Sequence, residues 1–358
     1  MFPLYSPSGA ANGRSKKRIK KMTLMMKKTI LVTLAIATMM SCSNDEVLDV
    51  TAKQAITFDN AFVEKASSSR TAYDGSYTTG SLEQFQVYGT ITNKSNETGN
   101  IFAGDDVTKN GTAWNYTCGL QYWIPGNNYS FAATVHGNEG QASKTEYNTV
   151  GMPTAIQVDD MSTQKDILYA ANGPIVYGTS LWGEKVSFIF QHLLAKVKFT
   201  VWNTITTQNG YNYKVENIII TNAANNGKYK IGTGWDAVQT TDFNYQPDFG
   251  HAVNAESASK EAVAEGILIA VGKKYESNFE RLFIPTTQQF TIQFDYYLYS
   301  GTQLIDAQES KTITSQEIAL ESGKAYNFNI KLGNPGDPIT FNVDKIQDWK
   351  TEGNEKDI

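Results

Sequence analysis

Hydrophobic and polar residues alternate along much of this chain, and that alternation restricts the possible folds more than any other feature of the sequence. It is clearest in Gln84–Ile91, Tyr129–Val135, Lys196–Trp202 and Gln289–Tyr299. Successive side chains of a β-strand point to opposite faces, so each segment places one face in a core and the other in water. Aromatic and β-branched residues dominate these segments, as is usual in strands. The pattern predicts an all-β protein built from antiparallel sandwiches.

Turn signals separate these segments. Asn-Gly pairs stand at Asn110-Gly111, Asn209-Gly210 and Asn226-Gly227, and such pairs favour hairpin turns or loops. Helical periodicity is weak throughout. The best candidate for a helix, Asn254–Ala264, is short.

A short internal repeat indicates two domains of similar topology. Trp123-Ile124-Pro125 and Phe283-Ile284-Pro285 are each followed by a phenylalanine in an alternating segment. Each proline would end one strand before the next begins. A chance match of a few residues is the alternative explanation. We predict an N-terminal domain over 55–185 and a C-terminal domain over 186–350, lengths that are ordinary for single domains.

The N-terminus predicts a secretory signal. Residues 1–28 carry eight basic residues and no acidic ones, and the apolar run Thr29–Met40 follows. This run has 12 residues, whereas a transmembrane helix needs ~20. A basic segment, a short apolar run and a small residue before the cut form a signal peptide, here 1–41. We expect Met26 to be the natural first residue. Residues 42–54 are expected to form a flexible tether.

Cys42 makes this signal resemble that of a bacterial lipoprotein. Met39-Met40-Ser41-Cys42 resembles a lipobox, although Met39 stands where leucine is usual. The polar run Ser43–Glu46 resembles the surface-export signal of Bacteroides-type lipoproteins. An ordinary signal peptide with an incidental cysteine, followed by a plain linker, is the alternative. Lipid on Cys42 predicts attachment to the outer membrane at the cell surface, because several acyl chains anchor a protein durably.

Charge and motifs exclude several classes of function. Residues 42–358 hold 23 basic and 36 acidic residues, a net charge of −13, which argues against a nucleic-acid partner. His136, His192 and His251 lie far apart without zinc-binding spacing, and no hydrolase, P-loop or dinucleotide motif occurs. We therefore predict no catalytic, cofactor-binding or metal-binding residues, and a protein that is not an enzyme.

Cysteine usage adds one prediction. With Cys42 taken by lipid, Cys118 stands alone and no intramolecular disulfide can form. We expect Cys118 to be a small buried strand residue. A nucleophile is the remote alternative.

Arginine is scarce after the signal peptide, where Arg70 and Arg281 are its two occurrences. Arg281 lies in a strand-like segment. Arg70 lies in Ala66–Gly75, a stretch of small, turn-forming residues of the kind that proteases cut. A cut after Arg70 would release the lipid together with the strand-like segment Ala55–Val63. The alternative is a surface arginine without a role.

Several segments together resemble one family, the fimbrillins, which are lipoprotein pilins of Bacteroides-type bacteria. Phe190–Phe199 resembles the family stretch Phe-x-His-x-Leu-Ala-Lys-Val-x-Phe closely. The matching segments, in chain order, are Ser69–Gly75, Tyr122–Ala133, Lys165–Ala170, Phe190–Phe199 and Val343–Trp349.

The resemblance implies two tandem transthyretin-like β-sandwich domains after a lipoprotein signal peptide. It also implies a subunit of a fimbrium (pilus) at the cell surface, cut by an arginine-specific protease and joined to other pilin subunits by β-strand exchange. Carried onto this chain, the cut falls between Arg70 and Thr71 and removes the strand at 55–63. In this interpretation His192 has a hydrogen-bonding role in a core or an interface.

The resemblance leaves two roles open for the C-terminal strand. Ile339, Phe341 and Val343 fall on one face and form a candidate donor strand for the next subunit. Alternatively this strand completes its own domain, as expected of a tip or anchor subunit. A different class of function also stays open, a surface glycan-binding lipoprotein that stacks sugars on exposed aromatic residues and recognises a host or bacterial surface ligand.

Overall fold

The computed structural model describes residues 54–63, 81–136, 143–161, 165–176, 185–206, 210–239, 253–254, 266–277 and 280–348. Every regular element in these ranges is a β-strand, which confirms the all-β prediction. No helix in the described residues is long and apolar enough to cross a membrane. The strands are β1 (Phe58–Val63), β2 (Gln84–Thr92), β3 (Thr98–Asn110), β4 (Ala113–Tyr116), β5 (Asn128–Val135), β6 (Ser143–Tyr147), β7 (Pro153–Val158), β8 (Leu168–Val176), β9 (Val186–His192), β10 (Ala195–Asn203), β11 (Tyr211–Ile220), β12 (Asn226–Lys230), β13 (Gly234–Gln239), β14 (Val253–Asn254), β15 (Ile267–Ile269), β16 (Lys274–Glu276), β17 (Arg281–Phe283), β18 (Thr287–Ser300), β19 (Gln303–Ala319), β20 (Lys324–Leu332) and β21 (Thr340–Asp348).

Seven strands form a sheet that closes on itself, which we call the N-terminal ring. Its order is β1-β4-β3-β2-β5-β8-β9, and β9 pairs again with β1. Alternation produces its interior: in β9 every second residue from Val186 to His192 is buried, and the residues between them are exposed. The buried phenylalanines of this interior are Phe58, Phe85, Phe102, Phe131, Phe188 and Phe190.

Two further sheets contribute to a second cluster of buried residues, which we call the C-terminal core. One sheet has the order β14-β16-β10-β20-β21, with β17 also paired to β10, and the other has the order β15-β11-β18-β19. Phe199 of β10 and Phe328 of β20 are completely buried, as are Ile292 and Phe294 of β18. Sharing one core between two sheets is the arrangement of a β-sandwich.

A fourth sheet, with the order β13-β12-β7-β6, joins strands from both halves of the chain. Residues of β12 pair antiparallel with β7, for example Tyr229 with Ile156. Ile156 and Val158 are completely buried in the C-terminal core, although they precede residue 185. The division into domains at 55–185 and 186–350 stays a prediction.

Two pairings between strands are parallel, β1 with β9 and β10 with β20. The remaining pairings among the described strands are antiparallel. Alternation identifies the buried face of a strand but not its neighbours, so the sequence did not indicate which strands would run parallel.

The alternating segments were identified correctly, since each lies within β2, β5, β10 or β18. Gly111 has a φ of 63° and turns the chain between β3 and β4, as its Asn-Gly pair predicts. Of the helix candidate Asn254–Ala264, Asn254 ends β14 and the other residues lie outside the described ranges.

The turn predicted at Asn226-Gly227 is wrong. Asn226 begins β12, and Gly227 pairs with Val158 of β7. The type I′ hairpin turn that an Asn-Gly pair favours needs positive φ at both central residues, and neither residue has one. Pairing with β7 therefore overrides the local preference for a turn.

The burial predicted for Cys118 is also wrong. Cys118 follows the end of β4 and is exposed. Partial desolvation of the thiol, with the Asp105 carboxylate nearby, raises the pKa of Cys118 to about 11. The thiol is therefore protonated near neutral pH and is a poor nucleophile.

Candidate functional site at the N-terminal strand

Strand β1 lies between β9 and β4 and closes the N-terminal ring. Phe58 to Val63 run parallel to Val186 to Phe190, with one extra residue in β1 between Asp59 and Ala61. On the opposite side, Phe58 pairs with Trp114 of β4. The strand that joins these two edges therefore comes from the beginning of the described chain.

The residues just before β1 strengthen its attachment. The backbone N–H of Ile56 donates to the carbonyl of Gln121 at 2.8 Å, and that of Trp123 donates to the carbonyl of Gln54 at 2.9 Å. The N–H of Val186 donates to the carbonyl of Thr57 at 2.8 Å. The N-terminal segment is thus hydrogen-bonded on both sides.

Side chains of the N-terminal segment supply the centre of the ring's core. Ile56 is 0%, Phe58 3% and Ala61 4% exposed. The Phe58 ring lies 5.5 to 6.3 Å, centroid to centroid, from five aromatic rings, those of Phe85, Phe102, Tyr116, Phe131 and Phe188. Burying one such side chain contributes about 1.5–3 kcal/mol, so this core depends on β1.

Loss of β1 would open the ring between β9 and β4. The opening would leave unpaired backbone groups on both edges and a groove lined by the aromatic neighbours of Phe58. Sheet edges of this kind readily accept a strand from another chain. We call this space the β1 groove.

Three of the predicted site residues, Cys42, Arg70 and Thr71, lie outside the described ranges. Arg70 and Thr71 fall within 64–80, the segment that connects β1 to β2. Arg281 lies in β17 and is half-buried. Lipidation of Cys42 and cleavage after Arg70 therefore stay predictions.

The predicted donor residues lie in and just before β21, which forms an edge of its sheet beside β20. Phe341 is 5% exposed, and its ring centroid is 5.4 Å from that of Phe328. Ile339 and Val343 are partly buried against the C-terminal core. In this structure the strand therefore completes its own sheet, and its role as a donor stays a prediction.

His192 links two of the segments that carry the family resemblance. Its Nδ1 lies 2.5 Å from Oδ2 of Asp166, and both side chains are almost completely buried. The N–H of Leu193 donates to the carbonyl of Ile167 at 3.0 Å. Leu168 belongs to the core of the ring while Ile167 belongs to the C-terminal core, so this pair lies where the two cores meet.

A cleft of about 680 Å³ opens beside β12 and β13. Tyr229 and Trp235 line it with the polar side chains of Asp236, Gln288 and Glu321. The two ring centroids are 5.6 Å apart with an interplanar angle of 68°, and the indole N–H of Trp235 donates to the carbonyl of Leu193 at 2.7 Å. The indole is therefore fixed in orientation. Sequence reasoning did not locate this cleft, because its residues come from distant segments.

The described residues contain no group of three or more His, Cys, Asp or Glu side chains arranged to hold a metal ion.

Comparison with solved structures shows a related fold. A fimbrial protein from Bacteroides vulgatus is 15% identical, with a TM-score of 0.61 over 83% of this chain and 99% of that protein. A putative cell adhesion protein from Parabacteroides distasonis is 10% identical, with a TM-score of 0.47 over 85% of this chain and 99% of that protein. Only the first likeness is close enough to support the fold. No curated protein sequence matches the chain.

The family comparison covers most of the sequence. A family model described as fimbrillin-like matches residues 69–349. That range includes nearly all of the described strands, from β2 to β21. The match agrees with the resemblance found in the sequence, and the chain therefore belongs to the fimbrillin-like family.

Proposed function

We propose that this chain is a fimbrial subunit, exported as a surface lipoprotein through Cys42 and assembled by β-strand exchange after cleavage between Arg70 and Thr71. Membership of the fimbrillin-like family makes it a structural or adhesive protein of the cell surface rather than an enzyme. The proposal adds the outer-membrane lipid, an arginine-specific protease and neighbouring pilin subunits as partners.

The position of β1 is the observation that carries this proposal. The strand supplies a buried aromatic residue, Phe58, at the centre of a core. Its covalent connection to β2 and all later strands runs through 64–80, which contains Arg70. A single cut there would make β1 a separate peptide held by noncovalent contacts. A strand from another subunit could then replace it in the β1 groove. In this scheme Ile339, Phe341 and Val343 belong to that incoming strand.

Treatment of the purified chain with an arginine-specific protease tests the cleavage step. The expected result is loss of residues up to Arg70, a new N-terminus at Thr71 and ladders that resist cold detergent. Arg281→Lys is the matched control, because Arg281 is the other arginine of residues 42–358, and it should form ladders as well as wild type. If Arg70→Ala formed ladders and reached the cell surface like wild type, cleavage at Arg70 would not drive assembly.

Lipidation is tested separately with the two cysteines. Cells fed a clickable palmitate analogue should label wild type and Cys118→Ala equally and should not label Cys42→Ala. Equal labelling of Cys42→Ala would remove the lipoprotein part of the proposal while leaving strand exchange untouched.

The cleft beside β12 and β13 favours a second candidate function, binding of neutral saccharides by this subunit. Aromatic faces and planar polar groups such as those of Trp235, Asp236 and Gln288 suit stacking on sugar rings and hydrogen bonding to hydroxyls. An affinity gel containing neutral polysaccharides should retard the wild type, and Asp236→Asn or Trp235→Phe should reduce retardation. Trp202→Phe is the control, since Trp202 is 39% exposed and does not line the cleft. Absence of retardation across a broad panel would exclude this candidate.

A further inference from the structure

Trp202 is an exposed aromatic residue that lies outside both the cleft and the β1 groove. Its neighbours Val201 and Asn203 are buried, so alternation points the indole away from the C-terminal core. The side chain is 39% exposed on the central strand of its sheet, whereas Trp114 and Trp123 are buried. An indole in this position adds little to the core and offers a flat apolar surface to a ligand.

Two lysines flank the Trp202 ring on the same face of the sheet. Trp202 pairs with Lys274 of β16 on one side and with Lys331 of β20 on the other, and direct partners in a sheet have side chains on one face. The Nζ of Lys331 lies 5.6 Å from the centroid of the indole. Because β16 and β20 are the two neighbours of β10, the backbones of the two lysines are about 10 Å apart. We call Lys274, Trp202 and Lys331 the Trp202 patch.

The Trp202 patch is positively charged, although the chain around it is acidic. Residues 42–358 carry a net charge of −13. Glu276 forms ion pairs with Lys274, at 3.1 Å, and with Lys198, so one carboxylate is shared between two lysines. Among the described residues no carboxylate forms an ion pair with Lys331. The patch therefore keeps an uncompensated positive charge beside an exposed ring.

The face around the Trp202 patch is polar. Thr340 pairs with Lys331 and is exposed, and Asn329 and Asn342 form the next pair along the sheet. Asp344, the first acidic residue of β21, lies about 13 Å beyond Thr340 along the strand, and its Oδ2 accepts a hydrogen bond from the Asn329 amide at 2.7 Å. An apolar partner surface would bury such hydroxyl and amide groups at a cost. The face therefore suits a hydrated, polar ligand.

We infer that the Trp202 patch binds an acidic polysaccharide whose sugar rings carry carboxylate groups. The indole stacks on the apolar face of one sugar ring, and the two lysines pair with carboxylates on either side of it. A single stacked ring is too weak to hold a neutral polymer, so the charge selects the ligand. This site is separate from the cleft beside β12 and β13. It does not depend on strand exchange either, since its three residues belong to β10, β16 and β20.

Electrophoresis of the purified chain through three affinity gels tests the class of ligand. The first gel contains polygalacturonate, and the second contains the same polymer with its carboxylates methyl-esterified. The third contains polyglutamate, which has carboxylates but no sugar ring. The first gel should retard the wild type most, and added salt should reduce that retardation. Equal retardation by the esterified polymer would show that charge does not select the ligand, and equal retardation by polyglutamate would show an acidic-peptide site; either result would overturn the inference.

Substitutions in the Trp202 patch locate the site. Trp202→Ala should weaken binding of polygalacturonate about tenfold, and Lys331→Gln should weaken it up to about fivefold, the effect of one exposed ion pair. Lys109→Gln is the matched control. Lys109 Nζ also lies 5.8 Å from an indole centroid, but that ring belongs to Trp114, which is buried. Equal losses from the two lysine substitutions would mean that net charge rather than the patch governs binding.

A cleft variant separates this inference from the saccharide site proposed above. Trp235→Phe alters the cleft and leaves the Trp202 patch intact, so polygalacturonate should retard it like wild type. If Trp235→Phe abolished the retardation and Trp202→Ala did not, the acidic polymer would occupy the cleft and the inference would be wrong. Urea unfolding checks that each variant is folded. Should Trp202→Ala fail to fold, Trp202→Leu, which is apolar but has no ring, replaces it with the same expected loss of binding.

Discussion

Each of the two cores contains a strand that runs parallel to its neighbour, but the two strands are attached very differently. In the N-terminal ring, β1 pairs with β9 and meets β4 at Phe58. In the C-terminal core, β10 is an interior strand that pairs along eight residues with β20 and on its other side with β16 and β17. Losing β1 would open the ring between β9 and β4, whereas losing β10 would separate β16 and β17 from β20.

The difference favours β1 as the strand that is exchanged in the proposed assembly. Phe58 contributes as much buried aromatic surface as a central core residue, but β1 lies next to the start of the described chain. Its side-chain packing is extensive, whereas its backbone pairing covers five residues of β9 and one residue of β4. A replacement strand needs to supply the right side chains more than a long ladder of hydrogen bonds. The following predictions test this comparison in order of expected size.

Removing one phenylalanine from each region should give the largest effect. Phe58→Ala and Phe328→Ala should each lower the free energy of unfolding of the uncut chain by about 3–5 kcal/mol, because each ring is surrounded by other aromatic rings. After cleavage and exchange of β1, only Phe328→Ala should remain destabilised. Urea unfolding before and after protease treatment measures both. A cleaved, assembled Phe58→Ala protein that was still weaker than wild type would mean that β1 had not left.

Breaking the buried pair between the two cores should destabilise both of them. Asp166→Ala leaves His192 buried without its carboxylate and should cost about 3 kcal/mol. Asp159→Ala is the matched control, because Asp159 is exposed and its loss should change stability by less than about 0.5 kcal/mol. Hydrogen exchange of the ring and of the C-terminal core should rise together. A rise confined to one of them would show that the pair does not couple the cores.

Mild acid should weaken the N-terminal ring through His136, which follows β5. Burial lowers the pKa of His136 from 6.5 to about 4, so the unfolded chain binds a proton more readily than the folded one. The stability due to neutral His136 is complete above pH 6.5 and falls as the pH drops towards 4. The loss should be roughly 1 kcal/mol per pH unit in this window. His136→Gln keeps a polar side chain that does not titrate, and its unfolding free energy should depend less on pH. Parallel pH profiles for the two proteins would rule out this histidine as a source of the acid sensitivity.

The smallest effect should come from the ion pair beside β1. Lys185 Nζ lies 3.4 Å from Asp59 Oδ2, and the lysine side chain is 54% exposed. Lys185→Met should therefore change the unfolding free energy by less than about 1 kcal/mol, and the change should vanish in high salt. Lys196 of β10 pairs with Glu280, and its side chain is only 7% exposed, so Lys196→Met should cost more and depend less on salt. Equal effects of the two substitutions would contradict the contrast between the regions.

Sequence reasoning identified the segments of the site but not the contacts between them. It singled out Ala55–Val63 as a strand, His192 as a hydrogen-bonding residue and Ile339–Val343 as an apolar face. It could not indicate that Phe58 lies among five aromatic rings, because those rings come from strands distributed between residues 85 and 188. It also missed that Asp166 is the partner of His192, a contact 26 residues apart in the chain.

The errors have a similar origin. Cys118 was expected inside a strand because small apolar residues are usually buried, but β4 ends at Tyr116 and leaves Cys118 exposed. Asn226-Gly227 has the composition of a turn, yet pairing with β7 extends it. In both cases a local preference was overridden by the position of a neighbouring strand.

The sequence by itself determined the all-β class, the buried face of each alternating strand and the family, because these depend on side chains in local order. Only the tertiary structure decided that β1 lies parallel to β9 and fills the centre of the ring, and that β21 completes its own sheet. Strand neighbours depend on contacts between residues far apart in the chain, and an alternating strand carries the same pattern whichever strand it joins.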